Sequence, residues 1–547
     1  VSGTPNQLFS LKQSQTIDGK SSTYAYSDTA TPPAIAPVPG LLISITDNFG
    51  RATNFRYAMI AGRPQLTGIV DPASKTTEIG YDETGKLTRI KRADGQVRQF
   101  LYEQTSRPNA LTGVIDENTA RHLTNSYDEV TGRALSSELA GGVRRYAASY
   151  ATPPVRVVTD TYEPAKGRIL RSVSWKLPTG TSITQPNGTT SALDATAVKG
   201  APLPSRFSQP AGSGCAAATS EIGYDASGNV ARRDDFNGNR VCLRHDLSRN
   251  IETARIEGLS ASTSCESLDA ALGTTPASLP AGSRKISTSY HPMWHLPAKV
   301  AVPRRLTTHV YNGQPDPFNA NATAECAPST AKLPDGKPIV VLCKTVEQAT
   351  TDDSGAQGFA AALQAGVPNR VWQYKYNEVG QVLTTTDPLN NVTSYVYYLQ
   401  TTTGHTRGDL EKVTNALGQE TLYRKYDVHG QVLEIEDPNK VLTSYSYDER
   451  RHLKSVTVAG VTTSYDYWPT GLLRKVAQPD GNTLNYEYDD AHRLKAIEDG
   501  RGNRVEYALD DAGNRKSEKV KDPSGTLVRQ ASRAYDALNR VQNKTGR

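Results

Sequence analysis

From residue 371 onward, apolar and polar positions alternate in runs of six or seven, and each run stops at a cluster of Gly, Asn, Asp or Pro. The segments "TLNYEYD" and "VTSYVYY" show the pattern. A period of two puts Tyr486 with Tyr488, and Tyr395 with Tyr397, on one face of a strand. Tyr374/Tyr376, Tyr445/Tyr447 and Tyr465/Tyr467 repeat the arrangement. Alternation bounded by turn residues predicts a strand–turn–strand–turn unit.

The unit recurs in register. It restarts at Tyr426, Tyr447, Tyr467, Tyr488, Leu509 and Tyr535, in steps of 21, 20, 21, 21 and 26 residues. Upstream, Tyr81 to Tyr102, Tyr224 to His245 and Tyr376 to Tyr397 are each 21 apart. Four residues after the opening position stands Gly85, Gly228, Gly380, Gly430 or Gly471, replaced in other copies by Arg451, His492 or Asn539. Glycine and asparagine supply the positive φ of a tight turn. Two residues further comes an apolar anchor, such as Leu87, Val230, Val382, Val432, Leu453, Leu473, Leu494 or Val541. A second turn follows, as in "DPLNN" at 387, "DPNK" at 437 or "DGRGN" at 499. A lone hairpin is unstable, but each copy stacked on its neighbours extends one sheet.

These residues resemble the RHS/YD-repeat family. The resemblance rests on Tyr81-Asp82 with Gly85, Tyr224-Asp225 with Gly228, Tyr426-Asp427 with Gly430, Tyr447-Asp448, Tyr488-Asp489 and Tyr535-Asp536, together with Tyr376/Gly380 and Tyr467/Gly471. It is dense over 371–547, patchier at 47–150 and 221–246, and absent over most of 151–220 and 251–370. The resemblance implies an all-β fold of repetitive antiparallel hairpins, wound as a spiralling β-strip that curves into a hollow shell. In bacterial members and in the B and C components of insecticidal toxin complexes, the shell encloses a toxic C-terminal domain. Teneurins use a similar shell at animal cell surfaces. The family's self-cleaving aspartates cannot be placed on any residue here, and the chain reads as a fragment or one piece of a longer shell.

Composition fits thin sheets better than a solid core. Of 547 residues only 37% are hydrophobic, and Tyr outnumbers Phe by 27 to 8. The net charge of +6 comes with no run of five like charges, which argues against nucleic acid as a partner. No stretch of 18 apolar residues predicts a membrane-spanning helix, and "VSGTPNQLFSLKQ" has no secretory-signal pattern. All five cysteines fall between 215 and 343, with no C-x-x-C pair. Cys326 and Cys343 bracket a short Pro/Gly loop and are the expected disulfide. Cys215 with Cys242 or Cys265 is a second expectation.

The chain divides into an irregular N-terminal segment (1–46), degenerate repeats (47–150), a Thr/Pro/Ser-rich β segment (151–220), a repeat (221–250), a cysteine-containing insertion (251–370) and the regular array (371–547). Short helical turns are expected at "CESLDAAL" and "GFAAALQAG". Searches for chemistry return structural readings. "HPMWH" has Pro292 between His291 and His295 and lacks the Glu of a zinc helix. "DDFNGN" at 234–239 lacks the closing Glu of a calcium loop. The doublets Asp489-Asp490 and Asp510-Asp511 recur at turn positions. No catalytic residue, metal ligand or cofactor is expected.

The expected function is a non-enzymatic shell that encloses and helps deliver a toxin polypeptide, secreted or at the bacterial cell surface. Its expected partners are that polypeptide, further shell repeats or a partner chain, and a secretion apparatus. The alternatives are a surface adhesion or carbohydrate-binding protein and a polysaccharide hydrolase. Each hairpin adds about 9.6 Å of sheet width. This chain could then enclose at most one small domain, so it is expected to be an open, curved strip with an exposed strand edge.

Overall fold

A computed structural model describes residues 11–150, 155–163, 168–176, 181–274 and 276–546. Strands make up 51% of the chain and helix 3%. All but two strands belong to one 39-stranded sheet that does not close into a barrel. Pairing is antiparallel, and nearly every strand pairs with the strands before and after it in sequence. At one place the strip skips. Tyr146–Tyr150 pairs with Thr181–Thr184, and the hairpin Val155–Glu163/Arg168–Lys176 stands as a separate two-stranded sheet.

The sheet runs through the segments that lack the motif. Thr190–Val198 and Ala201–Gln209 continue it, as do the strands from Ile251–Ser260 to Leu342–Ala349. The helical turns are brief: Glu266–Leu268 and Asp269–Leu272 at "CESLDAAL", and Gly358–Ala360 at "GFAAALQAG".

Each Tyr-Asp turn opens with the same irregularity. The register slips by one residue just before the tyrosine, which then faces the apolar anchor beyond the turn. The pairs include Tyr81 with Leu87, Tyr376 with Val382, Tyr447 with Leu453, Tyr467 with Leu473, Tyr488 with Leu494 and Tyr535 with Val541. A bulge adds right-handed twist and bends its strand. Repeating it at one position in every hairpin accumulates bending in one sense, so a local device sets the curvature of the strip.

Two small clusters of buried apolar side chains stand out among the described residues. One comprises Cys242, Ala254, Ile256, Leu259, Leu268, Ala271 and Leu272. The other comprises Tyr311, Ala331, Leu333, Ile339, Val340 and Val341, with Ile17 and Tyr376 packed against it. Each holds a disulfide, Cys242–Cys265 and Cys326–Cys343. The expectation that Cys215 pairs with Cys242 or Cys265 is corrected, since Cys215 is a free thiol. Cys242 and Cys265 share one apolar cluster, whereas Cys215 lies in a turn bridged to Gly212, its sulfur 3.2 Å from Arg540 Nη2.

The sheet ends are open. Among the described residues, Val541–Gly546 pairs only with Leu527–Tyr535, and all six of its residues are exposed.

Candidate functional site

The two signature side chains do different work. In six Tyr-Asp turns the aspartate Oδ1 accepts the backbone N–H groups two and four residues on, while Asp128 takes those two and three residues on. Asp82 holds Thr84 and Lys86 at 2.9 and 3.0 Å. Asp427 holds His429 and Gln431, Asp448 holds Arg450 and His452, Asp489 holds Ala491 and Arg493, and Asp536 holds Leu538 and Arg540. Asp225 does the same for Ser227 and Asn229. A turn that would expose its amides is thus satisfied by its own first residue. The Thr84 hydroxyl and the Lys86 N–H hold the Asp82 carboxyl down at about 2. The Arg540 guanidinium keeps Asp536 well below the usual carboxylate range.

The tyrosine binds the neighbouring hairpin. Its hydroxyl donates to the carbonyl of the preceding unit's anchor: Tyr397 to Val382, Tyr447 to Val432 and Tyr467 to Leu453, at 2.9, 3.2 and 2.8 Å. Tyr81, Tyr224, Tyr376, Tyr426 and Tyr535 reach back in the same way to Leu66, Pro204, Leu342, Leu410 and Arg515. Burial pushes the Tyr376 phenol up to about 12 and raises Tyr426 and Tyr488 as well. The ring covers one face of the sheet while the hydroxyl ties two units together.

The glycine slot is a left-handed position in every copy. Gly85, Gly228, Gly380, Gly430 and Gly471 have positive φ, and so do Arg451, His492 and Asn539 in its place. The second turns use the same carboxylate device, with Asp387 holding Leu389 and Asn391, and Asp499 holding Arg501 and Asn503.

The strip lies against itself along a seam. Second turns of the early repeats meet Tyr-Asp turns of the array, joining residues 323 to 376 apart. Arg51 pairs with Asp409, and Arg407 Nη2 donates to the Asn48 carbonyl at 2.9 Å. Asp71 Oδ2 lies 2.9 Å from His429 Nε2, Lys75 pairs with Glu449 at 2.7 Å, and Asp94 pairs with Arg450. Asp116 Oδ2 is 2.7 Å from His492 Nε2. Further on, the Arg144 N–H donates to the Asp511 carbonyl, Asn187 to Ala537, and the Ser213 N–H to Asp536 Oδ2. The partners advance together along the chain, so one winding takes about 360 residues and the chain makes about one and a half windings. Burial sets the Asp116 and Asp409 contacts apart from surface ion pairs such as Lys75–Glu449: Asp116 is 1% exposed and Asp409 7%.

The signature residues therefore fall into roles that the sequence pattern had not separated. Asp427, Asp448, Asp489 and Asp536 stand on seam-facing turns, while the tyrosines lie within the strip. Asp71, Asp94, Asp116 and His122 were missed. The signal for the first three was their place in second turns, but nothing in the sequence names a partner more than 300 residues away. The motif-like stretches are structural. His291 is buried, edge-on to Tyr311, and its Nδ1 accepts the Met293 N–H. Asp235 caps its own turn through Asn237 and Asn239.

Several solved structures resemble the chain. A crystal structure of TcdB2-TccC3-Cdc42 aligns with a TM-score of 0.49 at 12% identity, covering 94% of this chain and 26% of that one. A crystal structure of TcdB2-TccC3-TEV gives 0.46 at 14%, covering 98% and 25%. The structure of the Photorhabdus luminescens Tc holotoxin pore gives 0.45 at 15%, covering 96% and 24%. The chain spans about a quarter of the length of each. No curated protein sequence matches it. Residues 366–544, the regular array, match the family model of the teneurin YD-shell, which identifies this part of the chain as YD-shell repeats.

Proposed function

We propose that the chain is a wall segment of a hollow shell that encloses a toxin polypeptide and takes no chemical step itself. The observation that carries this reading is the seam. One sheet is wound back on itself and bonded turn to turn, and among the described residues the apolar core clusters are two small patches at the disulfides. Such a molecule is built as a surface, and a surface of this kind suits containment. Export to an oxidising compartment is supported by the two disulfides. Further shell repeats or a partner chain would extend the strip at Val541–Gly546, and a secretion apparatus would carry the assembly.

The test is limited proteolysis of the full-length native gene product, followed by mass spectrometry and electron cryomicroscopy. A protease-resistant polypeptide inside a closed wall is the expected result. A wall with no enclosed chain would overturn containment and favour the second reading, an adhesive or carbohydrate-binding surface protein. The match to a teneurin YD-shell model favours that reading over a polysaccharide hydrolase.

A further inference from the structure

Asp116, His122 and His492 come together where the two windings meet. Asp116 belongs to a second turn of the first winding, His122 to the strand Arg121–Tyr127 that follows it, and His492 to a Tyr-Asp turn of the second. Each offers one ligand atom, and these atoms all lie within 4.8 Å of one another.

The surroundings fix which atoms are free. Asp116 Oδ1 already accepts the Asn118 and Ala120 N–H groups at 2.9 and 3.0 Å, so Oδ2 is the oxygen turned to His492. His122 Nδ1 lies 3.2 Å from the Asp490 carbonyl oxygen. An N–H there places the proton on Nδ1 and leaves Nε2 as a lone-pair donor, the orientation that a carbonyl imposes on metal-binding histidines. The His122 and His492 rings are stacked, with centroids 4.0 Å apart. His492 occupies the slot that most repeats fill with glycine, at a φ of 61°. A side chain kept at a left-handed position is retained against a conformational cost.

We propose that these three residues form a divalent transition-metal site of the zinc class that clamps one winding to the next. Two neutral imidazoles and a carboxylate, with water as the fourth ligand, suit zinc. Ligand atoms of a tetrahedral zinc stand about 3.3 Å apart, given bonds of about 2.0–2.1 Å. Binding therefore draws the group together and tilts His122 out of its stack. The metal takes the place of the Asp116–His492 hydrogen bond, and the neutral His492 imidazole, bound through Nε2, carries its N–H on Nδ1. The carboxylate and its turn come from one winding and His492 from the other, so the bound ion is a cross-link.

The test titrates Co2+, and separately Zn2+, into the full, tag-free chain after chelator treatment. A Cys215→Ser background removes the free thiol as a competing ligand. The expected result is one equivalent bound, the visible absorption of four-coordinate Co2+, and a higher melting temperature. His122→Ala and His492→Gly should each weaken binding by more than about tenfold. His492→Gly restores the usual residue of the slot, so a folded variant is expected. His295→Ala, at an exposed histidine elsewhere, should bind as the parent does. Absence of stoichiometric binding, or unchanged binding in His122→Ala, overturns the site and leaves the shell reading untouched.

Discussion

At the scale of single residues, the YD signature is a pair of backbone-binding side chains aimed in different directions. The aspartate closes its own turn, and the tyrosine hydroxyl closes the gap to the previous hairpin. Tyr467→Phe keeps the ring and loses only the bond to the Leu453 carbonyl. It should cost about 1 kcal/mol. Tyr467→Ala loses packing as well and should cost about 2–3 kcal/mol, below the full-burial range because the side chain is half-buried. A repeat array need not melt in one step, so amide exchange in Leu453–Val458 and Val461–Tyr467 is the measure. Protection in Tyr467→Phe equal to that of the parent would remove the role assigned to the hydroxyl. Asp489→Ala frees three hydrogen bonds, from Ala491 N, Arg493 N and Arg493 Nε. Its cost of about 2 kcal/mol therefore approaches that of Tyr488→Ala.

The same bonds set the pH range. The Asp82 carboxyl is lowered to about 2 in the folded chain, and those of Asp387, Asp499 and Asp536 are lowered too. A depressed carboxylate contributes stability above its unfolded value near 4 and loses it as pH falls toward the folded value. The Tyr376 phenol is raised to about 12 by burial. Its contribution is complete below pH ~10 and is lost as pH rises toward 12. Thermal melts across pH should hold a broad plateau, falling below about pH 4 and above about pH 10. A maximum confined to a narrow window near neutrality would contradict this assignment.

At the scale of elements, a hairpin without the motif needs another staple. The units of the array carry a Tyr bond, an Asp bond or both, whereas the segment from Asn239 to Ala349 has few and carries both apolar clusters and both disulfides. The Cys326–Cys343 bridge spans 17 residues, and a loop of that size corresponds to about 3 kcal/mol in the chain-entropy account. The double variant Cys326→Ser/Cys343→Ser should lose protection first in the cluster around Ile339 and Val341. Pulsed exchange with mass spectrometry would detect this. An array at 426–535 that opens equally would mean the units are not energetically separate.

At the scale of the whole molecule, stability depends on how closely successive windings approach. Gly380 has a φ of 75°, and a Cβ there would overlap the Asp18 carbonyl oxygen on the neighbouring winding. Gly418 has a φ of 77° and open space around it. Gly380→Ala and Gly418→Ala thus share the same backbone cost, and only the first pries the seam apart. The Gly380 variant should show a larger radius in small-angle scattering and faster proteolysis near Asp18. The Gly418 variant should match the parent in both. Identical behaviour of the two would show that the seam does not hold the windings.

The sequence by itself determined the repeat, the strands and both turns, because the chemistry of each lies within five consecutive residues. Asp448 reaches Arg450 and His452, and no distant contact is needed to read that turn. The Cys326–Cys343 bridge was legible for the same reason, since it closes a short loop. Cys242–Cys265 was not, because it follows from which side chains share a core. The seam was not legible either. The pairing of Asp71 with His429, or Asp116 with His492, depends on twist summed over about 17 hairpins before the strip returns to itself. A small change in twist per unit would shift that meeting point by a whole repeat. Local turn chemistry therefore wrote the wall, and only the accumulated curvature decided which turns touch.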